Sequence, residues 1–195
     1  MTTSTQVHNP CSTEQLSDPY RGVLKYRLDV VATTVVDVVR SAGGWLYDRA
    51  AAGWDVRVLL PKLRDTRPLQ ILGVHADDLG EHFAAATTLW LGQGLAVSAD
   101  VFEADPRVRE LVSEALAHRL TEVTLWDDGW PLAVGRRTTT VQHVLSGAAR
   151  TFKGYALAAA GFSAQPVGPT ETLRSDMETC LPIHSDLVPV DALGR

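Results

Sequence analysis

Residues 95–126 carry the pattern that most limits how this chain can fold. Residues 95–102 alternate as a half-buried strand does, and Asp105 with Pro106 supplies a helix N-cap followed by proline at the first helical position. An apolar stripe then continues to Leu120, and residues 122–126 have the composition of a second strand. A strand, a capped helix and a strand in this order predict a right-handed βαβ unit with parallel strands.

The neighbouring segments add further elements. Residues 54–60 and 69–74 are predicted to be two short strands paired as a hairpin, residues 76–91 a helix, and residues 138–160 a last helix. These elements predict a small α/β domain, a two-layer or three-layer sandwich with a mixed sheet of four to five strands and at least one βαβ crossover. An α+β arrangement is the competing fold.

Residues 28–40 fit two structures. Their apolar residues recur at helical spacing, but their density of Val and Thr also suits a buried strand that would turn at Gly43 and Gly44. We favour the helix, because Asp29 and Asp37 leave the apolar stripe in helical register but would interrupt a buried strand.

Composition shifts along the chain predict three parts. Residues 1–19 are polar and are expected to form a flexible N-terminal arm, and residues 20–161 are expected to form a single α/β domain. Residues 162–195 contain prolines and an excess of acids, which predicts a C-terminal tail. Cys11 and Cys180 lie near opposite ends of the chain, so no disulfide is expected and a reducing, cytoplasmic location is predicted.

The overall composition excludes several classes of protein. The sequence is 45% hydrophobic, but no uninterrupted apolar run is long enough for a membrane span, so no membrane association is expected. The net charge of −5 argues against a general electrostatic grip on nucleic acid, although a local basic patch stays open.

A first candidate site is the run from Gly73 to His82, which is dense in acids and imidazoles. Asp78 and His82 stand four residues apart and His75 precedes them, a set that suits zinc or iron; His75 and His82 are the candidate catalytic bases. The alternative is that Asp77 or Asp78 caps a helix whose exposed face carries His82.

The segment His75-Ala76-Asp77-Asp78 faintly resembles the His-x-Asp-Asp motif that zinc-dependent deacetylases of the LmbE-like class carry after their first strand. It departs from that motif in three ways: no proline follows the histidine, the segment does not follow the first strand, and the downstream histidines are missing. The resemblance is therefore not a family assignment.

A second candidate site comes from topology, because ligands of parallel α/β sheets bind beyond the carboxyl ends of the strands. Three predicted strands run into acids, and convergence of these ends would create an oxygen-rich site for Mg²⁺. The candidate metal ligands are Asp77, Asp78, Asp105, Asp127 and Asp128. The alternative is that each acid serves a local turn or cap.

The last predicted helix carries a candidate anion or nucleic-acid contact. Its basic residues, away from the apolar stripe, are Arg136, Arg137, Arg150 and Lys153. A helix N-terminus with free N–H groups could bind a phosphate there, although a solvated basic face explains the same residues.

Trp126 and Trp130 flank a short acidic loop and are candidate partner-surface residues, since aromatic side chains are enriched at interfaces. The sequence lacks the glycine-rich, Ser-elbow and HExxH signatures of common enzymes. We therefore predict a non-enzymatic regulatory or protein-interaction module of a soluble, bacterial-type protein, with an unidentified protein partner and no cofactor. The alternative is an enzyme that uses Mg²⁺ or Zn²⁺ at the strand-end acids and acts on a small molecule or nucleotide; the second alternative is a nucleic-acid binder that uses the last helix.

Overall fold

The protein is built around one eight-stranded sheet with helices on both faces. The computed structural model describes residues 26–85, 92–163, 165–176 and 185–190. The predicted α/β class is confirmed, but the sheet is larger than the four to five strands expected from the sequence. None of the described helices is long and apolar enough to cross a membrane.

Five parallel strands form the first part of the sheet. In chain order they are β1 (Arg27–Val31), β2 (Asp55–Leu60), β3 (His75–Asp78), β4 (Gly94–Ser98) and β5 (Glu122–Trp126). Their spatial order is β3-β2-β1-β4-β5. The strand order therefore reverses between β1 and β4, and the crevice beyond the carboxyl ends of these two strands is the expected ligand site of such a sheet.

Three antiparallel strands complete the sheet. They are β6 (Thr139–Val144), β7 (Thr170–Ser175) and β8 (Val188–Pro189). β7 lies between β5 and β6, and β8 forms the outer edge. The segment beyond residue 162, predicted as a tail, thus supplies two strands of this sheet.

The helices divide between the two faces. The helices are α1 (Val35–Ala51), α2 (Arg67–Ile71), α3 (Leu79–Ala85), α4 (Ala99–Ala104), α5 (Pro106–His118), α6 (Leu132–Gly135) and α7 (Gly147–Ala159). One core packs α1, α2 and α7 against one face of the sheet, and the other packs α3, α4, α5 and α6 against the opposite face. Leu28 and Val30 of β1 pack into the first core while Val31 packs into the second, as the alternation of side chains along a strand requires.

Residues 28–40 were predicted to be a helix, and this prediction is wrong for the first part. β1 ends at Val31 and α1 begins at Val35, after Thr34, whose hydroxyl accepts the Asp37 amide hydrogen at 3.1 Å. Asp29 is tolerated in a buried strand because Arg27, two residues away on the same face, donates from Nε to Oδ1 at 2.8 Å.

Two other segments differ from their predicted form. Residues 69–74 were predicted to be a strand, but a short helix runs from Arg67 to Ile71, with Pro68 in its first turn, where proline is well tolerated. Residues 138–160 were predicted to be one helix, yet they form β6 and then α7, because Ser146 caps a new helix by accepting the Ala149 amide hydrogen at 3.0 Å.

The βαβ unit is confirmed in its main features. α5 begins at Pro106 after the Asp105 N-cap, and β4 and β5 are parallel neighbours. The first strand is shorter than predicted because Ser98 caps α4 within the predicted strand. The predicted helix over 76–91 begins at Leu79, and residues 86–91 lie outside the described part of the chain, as do residues 1–19 and both cysteines.

Candidate active site

Three carboxylates follow three adjacent parallel strands in the centre of the sheet. Asp37 lies in the first turn of α1 after β1, Asp100 in the first turn of α4 after β4, and Asp127 directly after β5. Asp37 accepts a hydrogen bond from the indole of Trp126, the residue before Asp127, and the charge of Asp100 acts on the carboxyls of both Asp37 and Asp127. We call these three residues the acid cluster.

Only one of the two carboxylate oxygens of Asp37 has hydrogen-bond partners among the described residues. Its Oδ1 accepts a hydrogen bond from Trp126 Nε1 at 2.9 Å and lies 3.4 Å from the Ser41 hydroxyl. Its Oδ2 is buried and has no hydrogen-bond partner in the described structure. A buried carboxylate oxygen left without a donor is costly unless it carries a proton or meets a ligand.

The pKa of the Asp37 carboxyl is raised. Burial is the main cause, and the negative charge of Asp100 adds to it. Hydrogen bonds from Trp126, Ser98 and Ser41 act in the opposite direction but do not cancel the effect of burial. Asp37 therefore retains a proton to higher pH than an exposed aspartate does.

Asp127 combines a strained backbone with a raised pKa. Its φ of 65° lies in the left-handed region, which is uncommon outside glycine and concentrates at functional sites. Burial and then the charges of Asp37 and Asp100 raise the pKa of its carboxyl, while Arg40 opposes them. Trp130 fixes the turn, since its Nε1 donates to the Asp127 carbonyl at 3.1 Å.

A cleft of about 680 Å³ opens beyond the carboxyl ends of β1 and β2. One wall is the segment Thr33–Val36, which directly precedes Asp37, and another includes Ala104 of the helix that carries Asp100. The cleft is large enough for a small organic molecule. The carboxyl ends of the strands thus offer both a binding space and titratable groups.

The strand-end acids named from the sequence are divided by the structure. Asp127 belongs to the acid cluster, and Asp128 follows it in the same loop and acts on the pKa of Asp127. Asp105 instead caps α5, accepting the Arg107 amide hydrogen at 2.9 Å, and Asp78 Oδ1 accepts the Glu81 amide hydrogen at 2.9 Å. In the described ranges, no three His, Cys, Asp or Glu side chains form a group that could hold a metal ion.

The first candidate site lies away from the acid cluster. His75 and Asp77 belong to β3, the edge strand, which β2 separates from β1. They line an open polar groove of about 450 Å³ with Arg57 and Asp55. His82 lies on α3, and burial lowers its pKa although the charge of Asp29 opposes this.

The segment that resembles the LmbE-like motif, His75–Asp78, forms β3 and so does not stand where that motif is expected. That motif follows the first strand, and the first strand among the described residues is β1. The residues after β1 are Ala32-Thr33-Thr34-Val35-Val36-Asp37, which supply an aspartate but no histidine.

The basic face predicted on the last helix is not formed, because β6 separates its members. Arg136 and Arg137 lie in the turn after α6, where the Arg137 guanidinium donates to the Leu116 carbonyl. Lys153 is buried and paired with Glu171 at 2.5 Å, so it is not available to a phosphate. Of the two basic residues on α7, only Arg150 is exposed. Its Nε donates to the Val167 carbonyl at 3.3 Å.

The predicted partner surface is also corrected. Trp126 is 2% exposed, and its indole is committed to Asp37. Trp130 is half-buried, with its ring centroid 4.9 Å from that of Phe102. Both rings therefore build the site rather than a free surface.

Sequence reasoning missed Asp37 and Asp100 as site residues. Asp37 was assigned to the polar side of a long helix, and Asp100 to a strand. The signal was present in the Thr34-x-x-Asp37 spacing, which is that of a helix capping box, and in Ser98 as a second cap. Two caps following two strands place both acids at the same edge of the sheet.

Comparison with solved structures shows where this fold recurs. The crystal structure of the A40926 pseudoaglycone deacetylase Dbv21 aligns with 80% of this chain and 99% of its own, at 14% identity and a TM-score of 0.54. A deacetylase–teicoplanin complex from the teicoplanin biosynthesis pathway aligns with 85% of this chain and 99% of its own, at 13% identity and a TM-score of 0.53. The zinc-inhibited form of the teicoplanin deacetylase Orf2 aligns with 68% of this chain and 83% of its own, at 15% identity and a TM-score of 0.40. No protein-family model and no curated protein matches the sequence.

These similarities establish the fold and correct the functional prediction. The chain shares its α/β architecture, over at least 80% of its length, with two proteins that are deacetylases. The prediction of a non-enzymatic regulatory or protein-binding module is therefore wrong. Between the predictions made from the sequence, the neighbours favour the alternative of an enzyme.

Proposed function

We propose that this protein is an enzyme that hydrolyses an acyl group from a small molecule at the acid cluster. The observation that carries the proposal is the coupled set of carboxylates Asp37, Asp100 and Asp127 at the strand-order reversal, two of them with raised pKa values. Perturbed carboxyls beside a cleft are the usual mark of acid–base chemistry. Two structural neighbours that are deacetylases, Dbv21 and the enzyme of the teicoplanin complex, support acyl transfer to water as the reaction type.

Asp127 is the residue we assign to proton transfer. It is exposed at the end of β5 on a strained turn, so it is accessible to substrate. In the proposed step Asp127 takes a proton from a water molecule as the water oxygen attacks the acyl carbonyl carbon. The bond between that carbon and the leaving nitrogen or oxygen then breaks, and Asp127 returns the proton to the leaving group.

Asp37 and Asp100 are the residues we assign to a divalent cation. The unpartnered Oδ2 of Asp37 supplies one carboxylate oxygen and Asp100 supplies another. Two carboxylates with water suit a hydrated Mg²⁺-type ion, whereas zinc sites are built from His, Cys and acidic side chains in groups of three or four. The described residues contain no such group of three or four, so they do not support a zinc site of that kind, and we assign Asp37 and Asp100 to a hydrated Mg²⁺ or Mn²⁺ instead. When bound, such an ion would stabilise negative charge that develops on the acyl oxygen.

The test uses Asp127→Asn with Asp128→Asn as its matched control, since Asp128 is an exposed acid in the same loop. The purified protein is offered a panel of N-acylated amines, amino acids and amino sugars with Mg²⁺ or Mn²⁺, and the released amine is measured with fluorescamine. We expect Asp127→Asn to lower kcat by about 100-fold or more, and Asp128→Asn to change it by less than about threefold.

Cation binding is tested separately by thermal unfolding. We expect Mg²⁺ to raise the Tm of the unmodified protein, and Asp37→Asn and Asp100→Asn each to abolish that rise. Equal turnover by Asp127→Asn and the unmodified protein would overturn the assignment of Asp127. A Mg²⁺ effect that persists in both cation-site variants would overturn the assignment of Asp37 and Asp100.

A further inference from the structure

The cleft beyond the carboxyl ends of β1 and β2 is predominantly apolar. Its walls include the side chains of Val35, Val36, Pro61, Pro68 and Ala159. These residues come from the start of α1, the β2–α2 connection, the first turn of α2 and the end of α7, so several elements enclose one space. A cleft of about 680 Å³ with such walls favours a ligand that carries an aliphatic or aromatic group.

Two cationic side chains stand at the rim of this apolar cleft. Lys62 and Arg64 line it and are exposed, and neither forms an ion pair with another described residue. Asp65, the one acid of the lining, lies close by and uses Oδ1 to accept the Arg67 amide hydrogen at 3.3 Å. In a chain whose net charge is −5, these are two cations that no acid of the described residues pairs with.

The lining of the cleft therefore combines two kinds of chemistry. Most of it is apolar, contributed by prolines, valines and alanines, and the β2–α2 connection adds the cations Lys62 and Arg64. A bound molecule could place its apolar part against the former and an anionic group near the latter. Thr33–Val36 of the lining directly precede Asp37 of the acid cluster in the chain.

We propose that the cleft selects an anionic amphipathic substrate, an apolar small molecule that carries a carboxylate or similar group bound by Lys62 and Arg64. This inference rests on the proposed function for the identity of the reacting end. The binding step itself depends on the cleft and its two cations, so it can be measured without turnover.

Binding is tested with octanoate, and octylamine serves as the probe of equal length and opposite charge. Both are titrated into the full chain by isothermal calorimetry or by two-dimensional NMR. We expect octanoate to bind about tenfold or more tightly than octylamine, and its affinity to fall as salt rises. We expect Lys62→Gln/Arg64→Gln to weaken octanoate binding by about fivefold to tenfold.

Two further variants separate charge from cavity. Arg67→Gln removes a cation from an exposed position on the adjacent helix that does not line the cleft, and it should leave octanoate binding unchanged. Ala104→Trp places a large ring at an exposed position in the cleft wall, so the fold is expected to tolerate it while octanoate binding is lost. Equal affinity for both probes, or an unchanged affinity in the double variant, would overturn the proposal.

Failure of the proposed substrate class can be told apart from failure of the proposed function. Asp127→Asn is expected to bind octanoate as well as the unmodified protein does, because Asp127 is not among the residues that line the cleft. Loss of selective binding with turnover intact refutes the substrate class, whereas selective binding with turnover unaffected by Asp127→Asn refutes the catalytic assignment.

Discussion

At the scale of single residues, Asp29 is a charged group held in an unfavourable place. It is 1% exposed within β1, its Oδ1 is bound by Arg27, and its Oδ2 has no partner in the described structure. Burial raises the pKa of this carboxyl, and the positive charge of Arg27 only partly offsets that effect. Keeping Asp29 ionised in the folded state therefore costs stability.

The sign of the resulting pH dependence follows from proton binding. Above the ordinary pKa of aspartate, the folded state holds more protons at Asp29 than the unfolded state does, so stability falls as pH rises through the folded pKa. Asp29→Asn removes this cost and keeps an oxygen for Arg27. We expect the variant to have a Tm about 2–4 °C above that of the unmodified protein at pH 8, and no advantage at pH 4, as measured by differential scanning calorimetry.

The matched control is Asp55→Asn. Asp55 pairs with Arg57 at the same two-residue spacing on the neighbouring strand, but its side chain is 28% exposed. We expect a Tm change below about 1 °C for this control at either pH. A gain in Asp29→Asn that did not vary with pH would show that its cause is packing rather than ionisation.

At the scale of elements, one buried ion pair joins α1, α7 and β7. Lys153 Nζ lies 2.5 Å from Glu171 Oε1 and donates to the Arg40 carbonyl at 2.6 Å. One turn further along α1, the amides of Gly44 and Trp45 each donate to the same carboxylate at 2.8 Å. A β-carbon on Gly44 would lie 2.5 Å from a methyl of Leu145, which explains why glycine stands where helix and sheet come this close.

The ion pair is expected to behave as a unit. Lys153→Met leaves the Glu171 carboxylate without its counter-charge at a buried position, which should lower the free energy of unfolding by about 3 kcal/mol. Glu171→Gln should cost a similar amount, since it leaves the lysine unpaired. The double variant should lose less than the sum of the two, because no uncompensated charge remains.

Urea denaturation followed by tryptophan fluorescence measures all three variants. Arg150→Met is the control, since Arg150 is an exposed cation on the same helix, and it should change the unfolding free energy by less than about 0.5 kcal/mol. Strict additivity of the two single changes would show that Lys153 and Glu171 contribute independently.

The same elements show what the sequence could and could not predict. α5 and β5 were predicted correctly because Asp105 and Pro106 mark a helix start by local chemistry, which no distant contact alters. β1 and β7 were not recognised as strands, because Asp29 and Glu171 carry charges that are satisfied only by residues brought close in the folded chain. Asp37 and Asp100 were likewise visible as cap-associated acids, but their meeting depends on the order of strands in the sheet.

At the scale of the whole molecule, a network of charges joins residues 185–190 to the rest of the fold. Asp186 accepts a hydrogen bond from Arg49 Nε at 3.1 Å, and Arg49 also lies 2.9 Å from Glu122 of β5. The ring of His143 lies 3.3 Å from the Asp186 carbonyl. Helix α1, both parts of the sheet and the C-terminal segment are therefore tied together at the side of the molecule where β5 begins.

Asp48 joins this network through His143, whose Nε2 lies 2.9 Å from Asp48 Oδ2, and the pH response of Asp48 runs opposite to that of Asp29. Burial acts to raise the pKa of Asp48, but hydrogen bonds with Ser146 and His143 outweigh it and lower the pKa of this carboxyl. Its contribution to stability is thus present above the ordinary pKa of aspartate and is lost as pH falls through the lowered value. Protonation of Asp48 at low pH is accordingly expected to reduce the stability of the folded state.

Whether residues 185–190 belong to the cooperative unit is tested at Leu187. This side chain is 3% exposed within the core shared with α1, whereas its neighbour Val188 is 37% exposed. We expect Leu187→Ala to lower the free energy of unfolding by about 2–4 kcal/mol in a single transition, because it opens a cavity in that core. Val188→Ala should cost less than about 1 kcal/mol. Equal, small effects of the two changes in urea denaturation would mean that the segment behaves as the separate tail predicted from its prolines and acids, and that the core is complete without it.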